Sequence, residues 1–90
     1  MVTSLLRLPD TVSRYGKSKS TIYAEIERGL FPPQIAIGPR IAAWPSDEVE
    51  AVIRARIAGK GEDEIRALVR RMVDGRGQAA NAAAGTHPWA

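Results

Sequence analysis

Apolar positions are sparse and regularly placed between Ser18 and Gly29, the stretch around which the chain is organised. Ile22 and Ile26 lie four residues apart, and at about 100° per residue they share one side of a helix with Gly29. Lys17, Ser20, Ala24 and Glu27 project from the other side. Ser18 is a capping residue at the start, and Gly29 stands where the chain has to leave the helix, often with positive φ. A helix this short is marginal alone, so the two isoleucines must pack on neighbouring elements.

The flanking pattern supplies those neighbours. Leu5, Leu6 and Leu8 lead into Pro9 and Asp10, a proline and an acid suited to a first turn, which predicts a helix from about Pro9 to Arg14 with Val12 inward. Tyr15-Gly16 ends it, and Gly16-Lys17-Ser18 is a tight connection, giving two short helices and a glycine turn. After Gly29, Leu30-Phe31 reads as core and Pro32-Pro33 excludes further helix. Gln34-Ile35-Ala36-Ile37 and Ile41-Ala42-Ala43-Trp44 flank Gly38-Pro39-Arg40 as a β-hairpin with Arg40 near its tip. Ile35, Ile37 and Trp44 are expected to pack on the helices, because a lone ribbon is barely stable. Such a ribbon beside a helix-turn-helix is a wing.

A third helix opens at Pro45-Ser46-Asp47, where Asp47 with Glu50 has the spacing of a capping box and Ser46 is the competing cap. Val49, Val52, Ile53, Arg56 and Ile57 form its stripe, up to Gly59-Lys60-Gly61. Glu62-Asp63-Glu64 then begins an amphipathic helix, with Ile65, Leu68, Val69 and Met72 at i, i+3, i+4 and i+7 and Arg66, Arg70 and Arg71 toward its end. It folds back on the domain or docks on another chain. From Gly75 to Ala90 the sequence is rich in Gly, Ala, Asn and Gln, which predicts a flexible tail, with Trp89 as an interface anchor or an incidental residue. The expected class is mainly α with a small β-hairpin, a winged helix-turn-helix over residues 5–58. An accessory helix over 62–74 and a tail over 75–90 follow, and Ile65, Leu68, Val69, Met72 and Trp89 are the candidate oligomerisation residues.

Ninety residues allow one modest core. Cysteine is absent and His87 is the lone histidine, so neither disulfides nor a thiolate zinc site is available. No cofactor is expected. The N-terminus lacks the order of a signal peptide and no apolar run could span a bilayer, which suggests a cytoplasmic protein with no membrane partner. The net charge is +3. All of that excess lies in residues 5–44, which carry six basic against three acidic residues, while residues 45–90 carry seven of each. A phosphate-binding footprint would be distributed this way. Catalysis is disfavoured, because there is no phosphate loop, no cysteine and no carboxylate pair with a visible partner.

Taken together, Leu6-Arg7-Leu8-Pro9, Gly16-Lys17-Ser18-Lys19-Ser20-Thr21-Ile22-Tyr23, Gly29-Leu30-Phe31-Pro32-Pro33, Gly38-Pro39-Arg40, Ala43-Trp44 and Glu48-Val49 resemble the AlpA-type family. These are small winged helix-turn-helix proteins of phages and mobile elements, akin to excisionases and to the DNA-binding part of MerR-like regulators. The likeness covers residues 5 to about 60, and more narrowly it is similar to RdfS-like recombination directionality factors. Two roles are implied: activator of excision genes, or directionality factor that binds beside an attachment site and bends DNA for an integrase. The short wing and the unmatched tail depart from the pattern.

If the capped helix enters a major groove of double-stranded DNA, Lys17 and Lys19 meet phosphate. Ser20, Thr21 and Tyr23 reach phosphates or base edges, and Ala24, Glu27 and Arg28 lie farther along. Glu27 would repel phosphate unless it accepts a bond from a cytosine amine. Arg40 would reach the adjacent minor groove, and Arg7 and Arg14 the flanking backbone. So small a reader needs several copies, so head-to-tail self-association on DNA is expected. A protein-interaction adaptor with a basic face is the alternative of a different class.

Overall fold

The computed structural model describes residues 3–84. The chain order is β1 (Leu5–Leu6), α1 (Leu8–Tyr15), α2 (Lys19–Glu27), β2 (Ile35–Gly38), β3 (Ile41–Pro45), α3 (Ser46–Ile57) and α4 (Glu62–Ala84). This is a mainly helical winged helix-turn-helix with one small antiparallel sheet.

The sheet has three strands in the order β1-β3-β2, one more than the hairpin expected from sequence. Leu5 pairs with Pro45 and Leu6 with Trp44, so the segment before α1 closes the open edge of β3. Two residues carry no periodicity, which is why the pattern of the sequence leaves β1 unmarked. In the hairpin Ile35 pairs with Ala43 and Ala36 with Ala42, and the register then shifts so that Gly38 faces Ile41. Ile37 falls in that irregularity and is 44% exposed, contrary to the expectation that it packs inward. A bulged residue leaves the alternation that would turn it to the core.

Trp44, Phe31, Ile22, Leu30, Val49, Val52, Ile65 and Val69 make a single core with Leu6. Tyr15 lies 4.8 Å from Phe31 between ring centroids, and the Trp44 indole donates to Pro32 O at 3.0 Å, so the aromatic cluster is also polar-satisfied. At α3 the proposed capping box does not form. Pro45 is the N-cap without a side-chain bond, and Asp47 bonds the Glu48 amide. Ser46 instead exchanges backbone and hydroxyl bonds with Ser4, the residue before β1. Ile57, assigned to the apolar stripe, is 80% exposed in the last turn.

The fourth helix folds back on the domain, one of the two outcomes its amphipathic pattern allows. Ile65 is 0% and Val69 5% exposed, both inside the common core, while Leu68 and Met72 are half-buried. Those two buried residues are therefore not free for self-association; α4 has folded back on α3. Past its middle it is tied by Arg76, which donates to Glu48 and, at 2.9 Å, to Pro33 O. The helix also runs on to Ala84, through the first part of the stretch expected to be a flexible tail. The remainder of that tail, with Trp89, lies outside the described residues. Among the described residues no helix is long and apolar enough to cross a membrane.

Candidate nucleic-acid interface

The turn and α2 form as the residue types dictate. Gly16 closes α1 in the left-handed region at φ 79, its amide bonded to Val12 O. Ser18 is the N-cap of α2 and accepts from the Thr21 amide at 3.3 Å, with the Thr21 hydroxyl 2.9 Å away. Arg28 is the C-cap, and Gly29 follows at φ 76, where a side chain would strain the backbone. The helix is thus bounded at both ends by the signals the sequence carries.

Its two sides differ completely. Ile22 is buried, Ile26 is half-buried, and Tyr23 meets Trp44 edge-on with centroids 6.2 Å apart. Lys19, Ser20, Thr21, Ala24, Glu27 and Arg28 are exposed. The outward surface is small and polar along its middle, with cations at both ends.

Glu25 is buried with the isoleucines, at 5% exposure. Its Oε1 accepts from the Tyr15 hydroxyl at 2.6 Å and from Arg56 Nη2 at 3.2 Å, and its Oε2 pairs with Lys17. One carboxylate on α2 therefore fastens α1, the turn and α3. Burial pushes the Glu25 carboxyl up, but the bonds from Lys17 and Tyr15 and the charges of Lys17 and Arg56 outweigh it, leaving it below its ordinary value. Burial and the bond to Glu25 push the Tyr15 phenol the other way, upward.

That knot gives Lys17 a partner within the protein. Its ammonium is bonded to Glu25 and stands 5.1 Å from the Tyr15 ring centroid. A lysine just before a cap looks exposed in sequence, yet here its side chain is 37% exposed and lies against Glu25. Arg28 is also engaged, both Glu62 oxygens lying within 3.2 Å of its Nη2. Arg66 of α4 donates to Arg28 O at 2.9 Å, so α4 holds the last carbonyl of the helix-turn-helix.

In the wing Arg40 is exposed and stands at φ 60, the sole non-glycine in the left-handed region among the described residues. Arg7 and Arg14 are exposed at the two ends of α1. The structure leaves Lys19, Ser20, Thr21, Ala24, Glu27 and Arg28 exposed along α2, with Ser20, Ala24 and Glu27 in one line, and puts Arg40 on the wing tip. Tyr23 is partly withdrawn, and Lys17 is half-buried beside Glu25.

The model of the family described as prophage CP4-57 regulatory protein (AlpA) matches residues 4–57. The chain belongs to the AlpA family. Membership places it among regulatory proteins of prophage type. A stretch of 46 residues is 46% identical to the uncharacterized protein ORF88 of Enterobacteria phage P4, covering 51% of this chain and 52% of that protein. The AlpA-family chain therefore spans about half the length of this curated relative. No solved structure matches it.

The residues that sequence reasoning missed in the AlpA-family chain are Glu25, Tyr15, Arg56, Glu62 and Arg66. A signal existed for the first: by helical spacing Glu25 lies between Ile22 and Gly29 on the inward side, which demands a buried partner for its charge.

Proposed function

We propose that this AlpA-family chain is a sequence-specific double-stranded DNA-binding protein of a mobile element. In this reading it acts as an excisionase or recombination directionality factor, with α2 in the major groove and the wing beside it. The observation that carries the reading is the sorting of α2, whose two isoleucines turn inward while Ser20, Thr21, Ala24 and Glu27 form an outward strip. Short polar side chains on a bare helix surface suit close approach to base edges, and Lys19 at the N-terminal end suits phosphate.

The wing adds support. A left-handed conformation costs an ordinary residue roughly 1–2 kcal/mol, which glycine or asparagine would largely avoid. Arg40 occupies it nonetheless, fixing a guanidinium at the tip, where a minor groove or its phosphates would receive it.

A single domain of this size touches few base pairs, so occupancy calls for several copies side by side, arranged to bend DNA next to an integrase. With Ile65 and Val69 inside the core, the contacts between copies fall to Leu68, Met72 and the terminal segment. Removing residues 77–90, which spares the Arg76 tether, is expected to abolish cooperativity and leave single-site binding.

A second reading is a transcriptional regulator, favoured by the family's description as regulatory proteins. Footprinting on the element's own attachment region separates the two. Phased blocks of protection beside integrase sites support the directionality role, and protection confined to a promoter supports the regulator. The adaptor reading survives only if retardation of duplex DNA shows neither sequence preference nor steep salt dependence.

A further inference from the structure

We propose that Glu27 is a specificity-determining residue, accepting a hydrogen bond from the 4-amino group of one cytosine in the major groove. This rests on the DNA-reading function proposed above.

Glu27 is electrostatically misplaced in three respects. Among the described residues, six of the ten acids pair with a lysine or arginine, and Glu27 has no such partner. Asp10 and Asp47, also without one, stand in the first turns of α1 and α3, where a helix favours an anion, and Asp74, the fourth, lines a groove of α4 together with Arg28, Arg66 and Arg70. Glu27 is the last residue of α2, where the helix dipole opposes it and the final turn holds no basic residue. It also projects from the side turned to a polyanion, in line with Ser20 and Ala24. Neither packing nor capping accounts for a carboxylate there, since it is exposed and bonds no backbone group among the described residues.

An ionised carboxylate can only accept hydrogen bonds. Facing DNA, it is repelled by phosphates and by the keto oxygens of guanine and thymine, and the major groove offers it just two donors, the amines of cytosine and adenine. Adenine's amine is flanked by acceptors on both sides, its own N7 and the thymine O4, whereas the cytosine amine has the guanine O6 on one side only and an apolar C5–H on the other. The carboxylate therefore selects cytosine, converting a loss of general affinity into discrimination. Seven residues of helix separate Ser20 from Glu27, on the order of 10 Å, so the cytosine lies about three base pairs from the position facing Ser20.

The test begins with duplexes selected from a random library by the full-length wild-type chain. Each single-base replacement is then measured against wild type, Glu27→Ala, Glu27→Gln and Ser20→Ala, with thermal melts confirming the fold. Wild type is expected to lose about tenfold or more when one C·G pair is replaced. Glu27→Ala should erase that penalty at that pair alone while binding random duplex more tightly. Glu27→Gln should move the preference at the same pair toward adenine, whose amine and N7 suit an amide, and Ser20→Ala should leave the penalty in place. An unchanged base-preference profile in Glu27→Ala overturns the role of Glu27. A wild-type chain that binds every duplex equally, or none, overturns the DNA-reading function itself, and the two failures are read from different proteins.

Discussion

Glu25 and Glu27 stand two positions apart on one nine-residue helix and live in opposite worlds. Glu25 is buried, with three partners from three elements. Glu27 is exposed, unpaired and at the end of the helix its charge should avoid. The difference is one of angle, because two residues turn a side chain by about 200°. It teaches that the charges of a small DNA-binding domain do two separable jobs. Some, netted inward, set the angles between helices, and others are left outward unneutralised. Counting charges along the sequence merges the two.

The largest effect is expected at Glu25. Glu25→Ala should lower stability by roughly 2–3 kcal/mol, less than the ~3–5 of a fully buried pair because Lys17 and Arg56 can turn to water. In a domain this size that is a fall of about 10 °C or more in Tm, measured by circular dichroism. Glu27→Ala should leave the melt within about 0.5 kcal/mol of wild type. Equal losses at the two sites would break the comparison.

Acid sharpens it. The Glu25 carboxyl is held below its ordinary value in the folded chain, so the unfolded chain takes up a proton first as pH falls. Its contribution is full above the ordinary carboxylate value of about 4.3 and is lost as pH drops through the lower, folded one. Denaturant titrations between pH 6 and 3 should show this fall for wild type and a shallower one for Glu25→Gln.

How much of this could be read from the chain differs by region. The bounds of α2 were legible, since Ser18 and Gly29 are local signals acting within a turn of themselves. The wing tip was legible for the same reason, Gly38-Pro39 leaving few alternatives. Illegible were the features made by residues far apart. β1 exists only because Leu5 and Leu6 meet Pro45 and Trp44, and Ile65 and Val69 enter the core only because α4 folds back. An apolar stripe states that a helix will be covered, not by what. The Lys17–Glu25 pair is illegible for the same reason, since the neighbours of Lys17 in sequence are polar while Glu25 is eight residues on and inside.

A smaller effect separates strain from contact at the wing. Arg40→Gly relieves the left-handed backbone but loosens the unfolded chain, so Tm should move by no more than a few degrees. Duplex affinity should nonetheless drop and its salt dependence flatten by about one unit, because one cation has left the interface. A melt displaced by 10 °C or an unaltered salt slope would contradict the assignment of Arg40.

The most direct test of the inward and outward division is the slope of log affinity against log salt for duplex DNA. It is to be measured for wild type, Lys17→Met, and Lys19→Met with Arg40→Gly. Each phosphate contact contributes close to one unit, so the double variant should be shallower by about two while Lys17→Met keeps the wild-type slope and melts lower. A slope that falls with Lys17 and is untouched by the loss of Lys19 and Arg40 would contradict the account.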